Sequence, residues 1–259
     1  MKKINIILLL LSCVNLYSQN GYIEYGYIEA FGIGNAQGPE YNAFLIFNKE
    51  KSYYVTAKDS LETTEKINSQ QSFENKEDSD LSGAIYNGLK SSKDGDQVFF
   101  SAVDKNMYST FYYDNVDYIK DGEIIFAWTI TNETKKIGKF NCSKATTSFR
   151  GRDYTAWFTN EIAVPFGPWK LNGLPGLIVE AYDKGKFVYW SLKNFEYPTT
   201  KAEVKFEKST IKYKPYSKFK EFQKIELEKE KERNLIFKKQ YPNVELGEPK
   251  LNEMFIECE

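Results

Sequence analysis

Short runs of apolar and aromatic residues alternate with polar turns over most of the chain, and this pattern predicts strands. The first run, residues 21–31 (GYIEYGYIEAF), alternates large apolar side chains with small or polar ones, as a half-buried strand does. Similar runs follow at residues 41–47, 52–57, 84–89, 97–103, 107–113, 118–120, 124–130, 139–149, 153–159, 177–182, 187–195 and 202–207. About a dozen strands with short connections favour an antiparallel meander.

Two segments depart from this pattern. Residues 59–80 are rich in Ser, Glu, Gln and Asn, which predicts a mobile surface loop. Residues 217–241 place Phe219, Phe222 and Ile225 near helical spacing among Lys and Glu, and Pro242 ends the pattern. We therefore predict a mainly β protein, a curved antiparallel meander forming an open barrel or bowl, with one long C-terminal helix. Residues 19–259 are expected to form a single domain.

Two turns have specific conformational signals. Leu174-Pro175-Gly176-Leu177 has Pro at the second position and Gly at the third, which predicts a type II turn with positive φ at Gly176. A buried strand is expected to follow from Leu177. Asp121-Gly122 predicts a two-residue hairpin between the runs at 118–120 and 124–130.

The first of these turns also resembles a known family. The string is Gly173, Leu174, Pro175, Gly176, Leu177 and Ile178, preceded by Ile137-Gly138, Cys142-Ser143-Lys144-Ala145, Arg152-Asp153-Tyr154, Ala156-Trp157 and Gly167-Pro168. With these residues the chain resembles the GLPGLI family. The resemblance implies an exported envelope or surface protein of Gram-negative bacteria without an assigned activity. A similar region serves as the bowl-shaped, non-catalytic N-terminal domain of some peptide:N-glycosidases.

The first eighteen residues predict export. Lys2 and Lys3 precede an apolar run at residues 4–11, and Ser18 is a small residue suited to a cleavage site, so residues 1–18 indicate a signal peptide. The run is too short to cross a bilayer, so no transmembrane span is expected in the mature chain. Residues 10–13 also resemble a lipoprotein box, which leaves lipidation of Cys13 as an alternative. We expect a periplasmic, outer-membrane associated or secreted protein.

The composition excludes several classes of function. The chain has 35 basic and 36 acidic residues, so no overall field attracts nucleic acid. It has no histidine, which excludes Ser-His-Asp and Cys-His catalysis and every imidazole metal site. We predict no cofactor and no metal. The 19 Tyr and 19 Phe are suited to the core of a sheet or, alternatively, to an aromatic-lined ligand cavity.

Two cysteines remain after the predicted cleavage, Cys142 and Cys258. In an oxidising compartment they can form a disulfide. The alternative is that Cys142 is a small buried apolar residue and Cys258 a free thiol.

One short stretch combines the chemistry of a ligand site. Arg150 and Arg152 stand next to Tyr154 and Trp157, and arginines beside aromatic rings suit an anionic or sugar-like ligand. The alternative is that the arginines pair with Asp153 or Glu161 at a strand edge.

These observations favour an exported, non-catalytic binding or scaffold module whose partner is an unknown small molecule, a glycan or an envelope protein. Two alternatives stay open. One is a carboxylate-based hydrolase acting on glycans, for which Glu180 in its apolar strand is a candidate acid. The other is a structural accessory subunit of an envelope assembly.

Overall fold

The computed structural model describes residues 20–30, 40–56, 95–112, 116–200, 204 and 212–258. Within these ranges there are twelve strands: β1 Asn20–Glu29, β2 Glu40–Phe47, β3 Lys51–Thr56, β4 Gln97–Ser101, β5 Asn106–Tyr112, β6 Val116–Gly122, β7 Thr129–Ile137, β8 Phe140–Phe149, β9 Arg152–Thr159, β10 Leu177–Asp183, β11 Val188–Thr199 and β12 Tyr213–Pro215. The helices are α1 Tyr216–Gln240 and α2 Leu251–Met254. The predicted signal peptide, the loop at 59–80 and the strand at 84–89 lie outside the described residues, as does all but residue 204 of the strand at 202–207.

All twelve strands belong to one open sheet, in the order β12-β6-β5-β4-β3-β2-β1-β11-β10-β9-β8-β7. Strands β1 to β6 form one meander and β7 to β11 a second, and the antiparallel pairing of β1 with β11 joins them. The pairing of β12 with β6 is parallel. The predicted fold class is confirmed, since the sheet is open and mainly antiparallel and one long helix follows it.

The connection between the two meanders differs from the prediction. β6 continues through Asp121 and Gly122, and residues 123–128 form no strand. The predicted hairpin is therefore wrong, and so is the predicted strand at 124–130 except for its last two residues, which begin β7. Trp128 instead donates a hydrogen bond from Nε1 to the carbonyl of Asn172 at 2.8 Å. The next strand is β7, which was not predicted because its sequence TITNETKKI is mostly polar. β7 lies at an open edge, where charged side chains prevent pairing with other chains.

Aromatic side chains fill one face of the sheet, which we call the inner face. It is the face covered by the corner segment, residues 160–176. Trp169 of that segment stacks on Trp190 with ring centroids 6.1 Å apart, and Trp190 stacks on Tyr27 at 5.5 Å. Phe166 packs against Phe47 at 6.2 Å. The corner segment therefore completes the core, and the opposite side of the sheet is the outer face.

The turn within the corner segment is not the predicted type II turn. Positive φ occurs at Gly173, at 89°, and not at Gly176. Gly176 is nevertheless required, because a Cβ atom there would lie 2.1 Å from the carbonyl oxygen of Thr159. Close contact with the end of β9, rather than backbone conformation, explains this glycine.

Helix α1 agrees with the helix predicted at 217–241, but it covers little of the sheet. Phe219 and Gln223 are the residues of α1 that are buried. Farther along the helix, Ile225, Leu235 and Ile236 are 55–66% exposed. In the described residues, no helix combines the length and the apolar composition needed to span a membrane.

Candidate functional site

The four predicted binding residues are divided between the two faces of the sheet. Arg152 and Tyr154 in β9 point to the inner face, and Arg150 is buried in the preceding turn with a φ of 44°. Trp157 points to the outer face, because side chains alternate along a strand. Two separate clusters result, and a ligand-binding role for these residues stays a prediction.

The inner charge cluster consists of Arg150, Lys170, Asp121 and Glu257. Arg150 Nη1 lies 2.7 Å from Asp121 Oδ1, and Lys170 Nζ lies 3.1 Å from the same oxygen. Both cations also pair with the carboxylate of Glu257. The four side chains are 0–8% exposed. The guanidinium carbon of Arg150 also lies 3.6 Å from the centroid of the Tyr216 ring. Two cations and two carboxylates thus compensate each other in the interior.

Burial and charge act in opposite directions on this cluster. Burial alone raises the pKa of Asp121, but the positive charges of Lys170 and Arg150 outweigh it and hold the pKa below its usual value. Burial alone lowers the pKa of Arg150, and Glu257 and Asp121 reverse this, so its pKa is raised. Asp121 and Arg150 are therefore both charged at neutral pH.

Arg152 makes contacts of a different kind. Its Nη1 pairs with Asp183 Oδ2 at 2.9 Å, while Nη2 donates to the carbonyl oxygens of Asn252 and Phe255 and Nε to that of Ile256. The guanidinium group thus binds the backbone of a segment about one hundred residues away in sequence. The arginines do not have Asp153 or Glu161 as their described ion-pair partners. Asp153 accepts a bond from Ser148, and Glu161 one from Asn141.

The segment that Arg152 holds, residues 251–258, is called the docked segment here. Cys258 donates its backbone N–H to the Arg150 carbonyl at 3.0 Å, and Gln223 of α1 donates to the Glu257 carbonyl. Gly151, with a φ of 78°, leaves room for this approach, because a Cβ atom there would lie 2.1 Å from the Cys258 carbonyl oxygen. The docked segment therefore contacts both the β8–β9 turn and the first turns of α1.

Cys142 and Cys258 are not joined by a disulfide in this fold. Cys142 is buried near the start of β8, and burial raises the pKa of its thiol to about 11. Cys258 lies against Arg150, just beyond the other end of the same strand. Eight residues of strand span about 26 Å, whereas a disulfide needs Cα atoms within about 7 Å. A bond between these two thiols within one molecule is not compatible with this structure.

The outer aromatic cluster consists of Lys135, Trp157, Glu180, Tyr182 and Tyr189. Lys135 Nζ lies 4.3 Å from the centroid of the Trp157 ring and 2.6 Å from Glu180 Oε1. The rings of Tyr182 and Tyr189 stack at 5.7 Å, and both are partly exposed. Burial, and then the charge of Glu180, raises the pKa of Tyr189 to about 12. Within the described part of the chain, the indole N–H of Trp157 has no hydrogen-bond partner.

One further buried carboxyl group lies at the end of β1. Tyr27 donates its hydroxyl hydrogen to Glu29, which is 7% exposed. Burial raises the pKa of Glu29 to about 8; the bond from Tyr27 and the charge of Arg152 oppose this rise, and Asp96 adds to it. At neutral pH the carboxyl group is therefore mostly protonated.

Sequence reasoning missed most members of both clusters. Asp121 has the local sequence signal of a turn residue, and Glu257 and Lys135 carry no recognisable signal because their partners are distant in sequence. Lys170 does carry a recognisable signal in the sequence, because it is the only charged residue between Glu161 and Glu180. A single charge in an otherwise apolar, glycine-rich segment indicates a buried ion pair.

Across the ranges that the structure covers, no group of three or more acidic or cysteine side chains is placed to hold a metal ion.

Comparisons with known proteins agree with this architecture. Residues 107–215, from β5 to β12, match the family described as "N-glycanase peptide, N-terminal domain". Two solved structures of PNGF-II, in space groups P21 and C2, are similar in fold, with TM-scores of 0.51 and 0.52 and sequence identities of 17% and 18%. Each comparison covers 78% of this chain and 32% of PNGF-II, so the chain spans about a third of the length of that protein. No curated protein sequence matches the chain. The predicted similarity to the N-terminal domain of a peptide:N-glycosidase is confirmed.

Proposed function

We propose that this chain is an exported, non-catalytic module of a Gram-negative cell envelope, and that it binds glycans through the outer aromatic cluster. The predicted signal peptide and the resemblance to the GLPGLI family support export. The match to the N-terminal domain of N-glycanases supports a module that assists in handling glycans and does not cleave them.

The observation that carries the proposal is the arrangement of Trp157, Tyr182 and Tyr189 around an ion pair. A sugar ring has an apolar face of C–H groups and a rim of hydroxyl groups. Aromatic rings accept the face, and a carboxylate and an ammonium group bind the rim. Glu180 and Lys135 supply those two groups on the same surface.

Lys135 serves as a movable cover in this arrangement. Its side chain is 35% exposed and lies over the Trp157 ring. Moving it aside opens one face of the Trp157 ring, which is 7% exposed in the structure; the same side chain carries an indole N–H that is a buried donor without a described partner. An unsatisfied buried donor costs about 1–3 kcal/mol, so a ligand hydroxyl that accepts this hydrogen bond gains affinity.

The charges of the interior support binding rather than catalysis. Asp121, Asp183 and Glu257 are each held in ion pairs with buried cations. Such groups stabilise the fold and are poorly placed to exchange protons with a substrate. The absence of histidine from the sequence removes the usual base for catalysis near neutral pH.

One observation favours the hydrolase alternative. Glu29 is mostly protonated near neutral pH and lies close enough to Asp96 for the two carboxyl groups to interact, and a carboxylic acid near a second carboxyl group is a common basis for glycoside hydrolysis. The test is release of sugar from glycopeptides by the wild-type protein and by Glu29→Gln. Activity that disappears in this variant selects the hydrolase.

The binding proposal is tested by titrating the protein with a panel of N-glycan fragments in a calorimeter. We expect Trp157→Phe and Tyr182→Ala each to weaken binding at least about tenfold, or about 1.4 kcal/mol. Trp157→Phe retains an aromatic ring but lacks the indole N–H. Tyr22→Ala is the matched control. Tyr22 is a partly exposed outer-face aromatic that stacks on Phe44, away from the cluster. No binding to any fragment, or an equal loss in the control, contradicts the proposal.

A further inference from the structure

The docked segment is held in the way that a binding site holds a peptide. Arg152 donates to the carbonyl oxygens of Asn252, Phe255 and Ile256. The carbonyl of Glu257 accepts from Gln223, and the N–H of Cys258 donates to Arg150. These contacts use backbone atoms that every peptide has, so they recognise an extended chain rather than one sequence.

Two side chains of the docked segment add selectivity. Phe255 packs edge-on against Phe219 and Phe222 of α1, with ring centroids 6.1 Å and 5.9 Å apart. Two residues later, the carboxylate of Glu257 lies between Arg150 and Lys170. An aromatic side chain followed by a carboxylate at the second position beyond it is therefore the pattern that the site accepts.

The docked segment is joined to the rest of the fold by a connection with little packing. Residues 244–250 belong to no helix or strand and are mostly exposed. Opening this connection disrupts no strand pairing, so the docked segment can leave as a unit while the sheet stays folded.

Departure of the docked segment leaves a site that attracts an anion. Among the acidic groups in the described part of the chain, Arg150 and Lys170 are then paired with Asp121 alone, so two positive charges are balanced by one negative charge. Arg152 keeps its pair with Asp183 but loses three carbonyl acceptors. A buried cation without its full set of partners is costly, which favours entry of another carboxylate-bearing chain.

We propose that Arg150, Arg152, Lys170 and the first turns of α1 form a binding site for acidic peptides of the pattern Phe-x-Glu. This chain fills the site with its own residues 255–257, and an equivalent segment of another molecule binds there when the intramolecular one is displaced. In this proposal the anionic ligand of Arg150 and Arg152 is a peptide. The site is separate from the outer aromatic cluster.

The intramolecular segment competes strongly, because a short tether gives it an effective concentration on the order of millimolar. The test therefore uses the full chain with Glu257→Lys, in which the variant's own segment is repelled by Arg150 and Lys170. The probe is a fluorescein-labelled peptide with the sequence of residues 251–258 and serine in place of cysteine. We expect its fluorescence anisotropy to rise with Glu257→Lys at concentrations at least about tenfold lower than with wild type.

Two controls define the specificity. Glu253→Lys makes the same charge change at an exposed position of the docked segment and should behave as wild type. A probe with glutamine in place of the residue corresponding to Glu257 should bind Glu257→Lys at least about tenfold more weakly. Equal binding of both probes overturns the proposal.

Thiol reactivity shows whether the segment leaves by itself. With Glu257→Gln we expect a chromogenic disulfide reagent to modify Cys258 at least about tenfold faster, while Cys142, buried and with a pKa of about 11, stays slow. If both thiols accelerate together, the sheet itself opens and the proposal fails. It also fails if Cys258 becomes reactive in Glu257→Lys and the probe peptide still does not bind.

Discussion

The two faces of the sheet carry the same chemical unit at different depths. On the outer face, Lys135 pairs with Glu180 over the ring of Trp157, and the charged side chains are 35% and 11% exposed. On the inner face, Arg150 pairs with Asp121 against the ring of Tyr216, and the exposures are 8% and 0%. Each unit has a cation, a carboxylate and an aromatic ring.

The two units differ in how much of their charged side chains is exposed to water, and this exposure determines the free-energy cost of separating each ion pair. The Lys135 side chain is 35% exposed and water screens its charge, so separating it from Glu180 costs less than separating Arg150 from Asp121, although Glu180 itself is buried. Removing one member of a buried pair costs about 3–5 kcal/mol, because the remaining charge stays in the interior. The inner unit therefore stabilises the fold and the docked segment, while the outer unit is the one that we propose for glycan recognition.

The largest predicted effect comes from removing the carboxylate at the centre of the inner charge cluster. Asp121→Ala leaves Arg150 and Lys170 with one carboxylate instead of two and should lower the free energy of unfolding by about 3–5 kcal/mol in urea melts. Asp117→Ala is the control, because Asp117 pairs with Lys214 at a more exposed position of the same strand. It should cost about 1 kcal/mol or less. Similar losses in both variants would remove the distinction between buried and exposed ion pairs.

The pH dependence of stability distinguishes two buried carboxyl groups. The charge of Asp121 is balanced by neighbouring cations, whereas burial dominates at Glu29. The pKa of Glu29 in the folded state, about 8, is above its unfolded value, so its stabilising effect is complete at low pH and is lost as the pH rises toward 8. Asp121, whose pKa is lowered, acts in the opposite direction and loses its contribution in acid.

Glu29→Gln should therefore raise the free energy of unfolding at pH 8 by a few kcal/mol, on the order expected for a shift of this size. At pH 4 the variant should be close to wild type. Urea melts at both pH values give the comparison. A variant less stable than wild type at pH 8 would mean that ionised Glu29 is stabilised in the fold.

Substituting one glycine on each face by alanine tests how tightly the two faces are packed. Gly176→Ala places a Cβ atom 2.1 Å from a backbone oxygen of β9 and should cost about 2 kcal/mol or more. Gly26→Ala on the outer face meets the ends of the Glu40 and Lys193 side chains, which can move aside, and should cost about 1 kcal/mol or less. Thermal melts that reverse this order would place the more rigid contact on the outer face.

The smallest predicted effect concerns the cover of the outer aromatic cluster. Lys135→Met should change the free energy of unfolding by less than about 2 kcal/mol, because the lysine is 35% exposed and its charge is screened by water, although its partner Glu180 is buried. Lys144→Met, which removes the pair with exposed Glu133, is the matched control and should give a similar value. A loss above about 2 kcal/mol for Lys135→Met alone would show that the outer pair is structural.

Local patterns in the sequence predicted the elements that depend on neighbouring residues. The β8–β9 hairpin and helix α1 follow from alternation and helical spacing. β7 was missed because an edge strand needs no apolar face, and its polar sequence resembles a loop. Gly176 was recognised as a special position, but the reason for it, contact with Thr159, is non-local.

The candidate site shows the same difference between features that neighbouring residues determine and features that depend on distant contacts. The sequence predicts that Arg150 and Arg152 hold an anionic or sugar-like ligand, and this stays a prediction. The partners that the structure gives these arginines are the internal carboxylates of Asp121, Asp183 and Glu257, and only the folded topology brings those groups to the arginines. The separation of Trp157 from Tyr154 follows from strand alternation and was available from their spacing of three residues.

The pairing of β1 with β11 has a consequence for how the chain folds. β1 lies at the centre of the sheet, yet one of its edges is completed by a strand that is synthesised after most of the other strands. Closing so long a loop before the contact forms costs entropy and slows folding. Until β11 arrives, β1 has an unpaired edge beside apolar side chains, which is the feature that leads to aggregation and that chaperones bind. We therefore expect refolding over milliseconds to seconds or longer, with a yield that decreases as protein concentration increases.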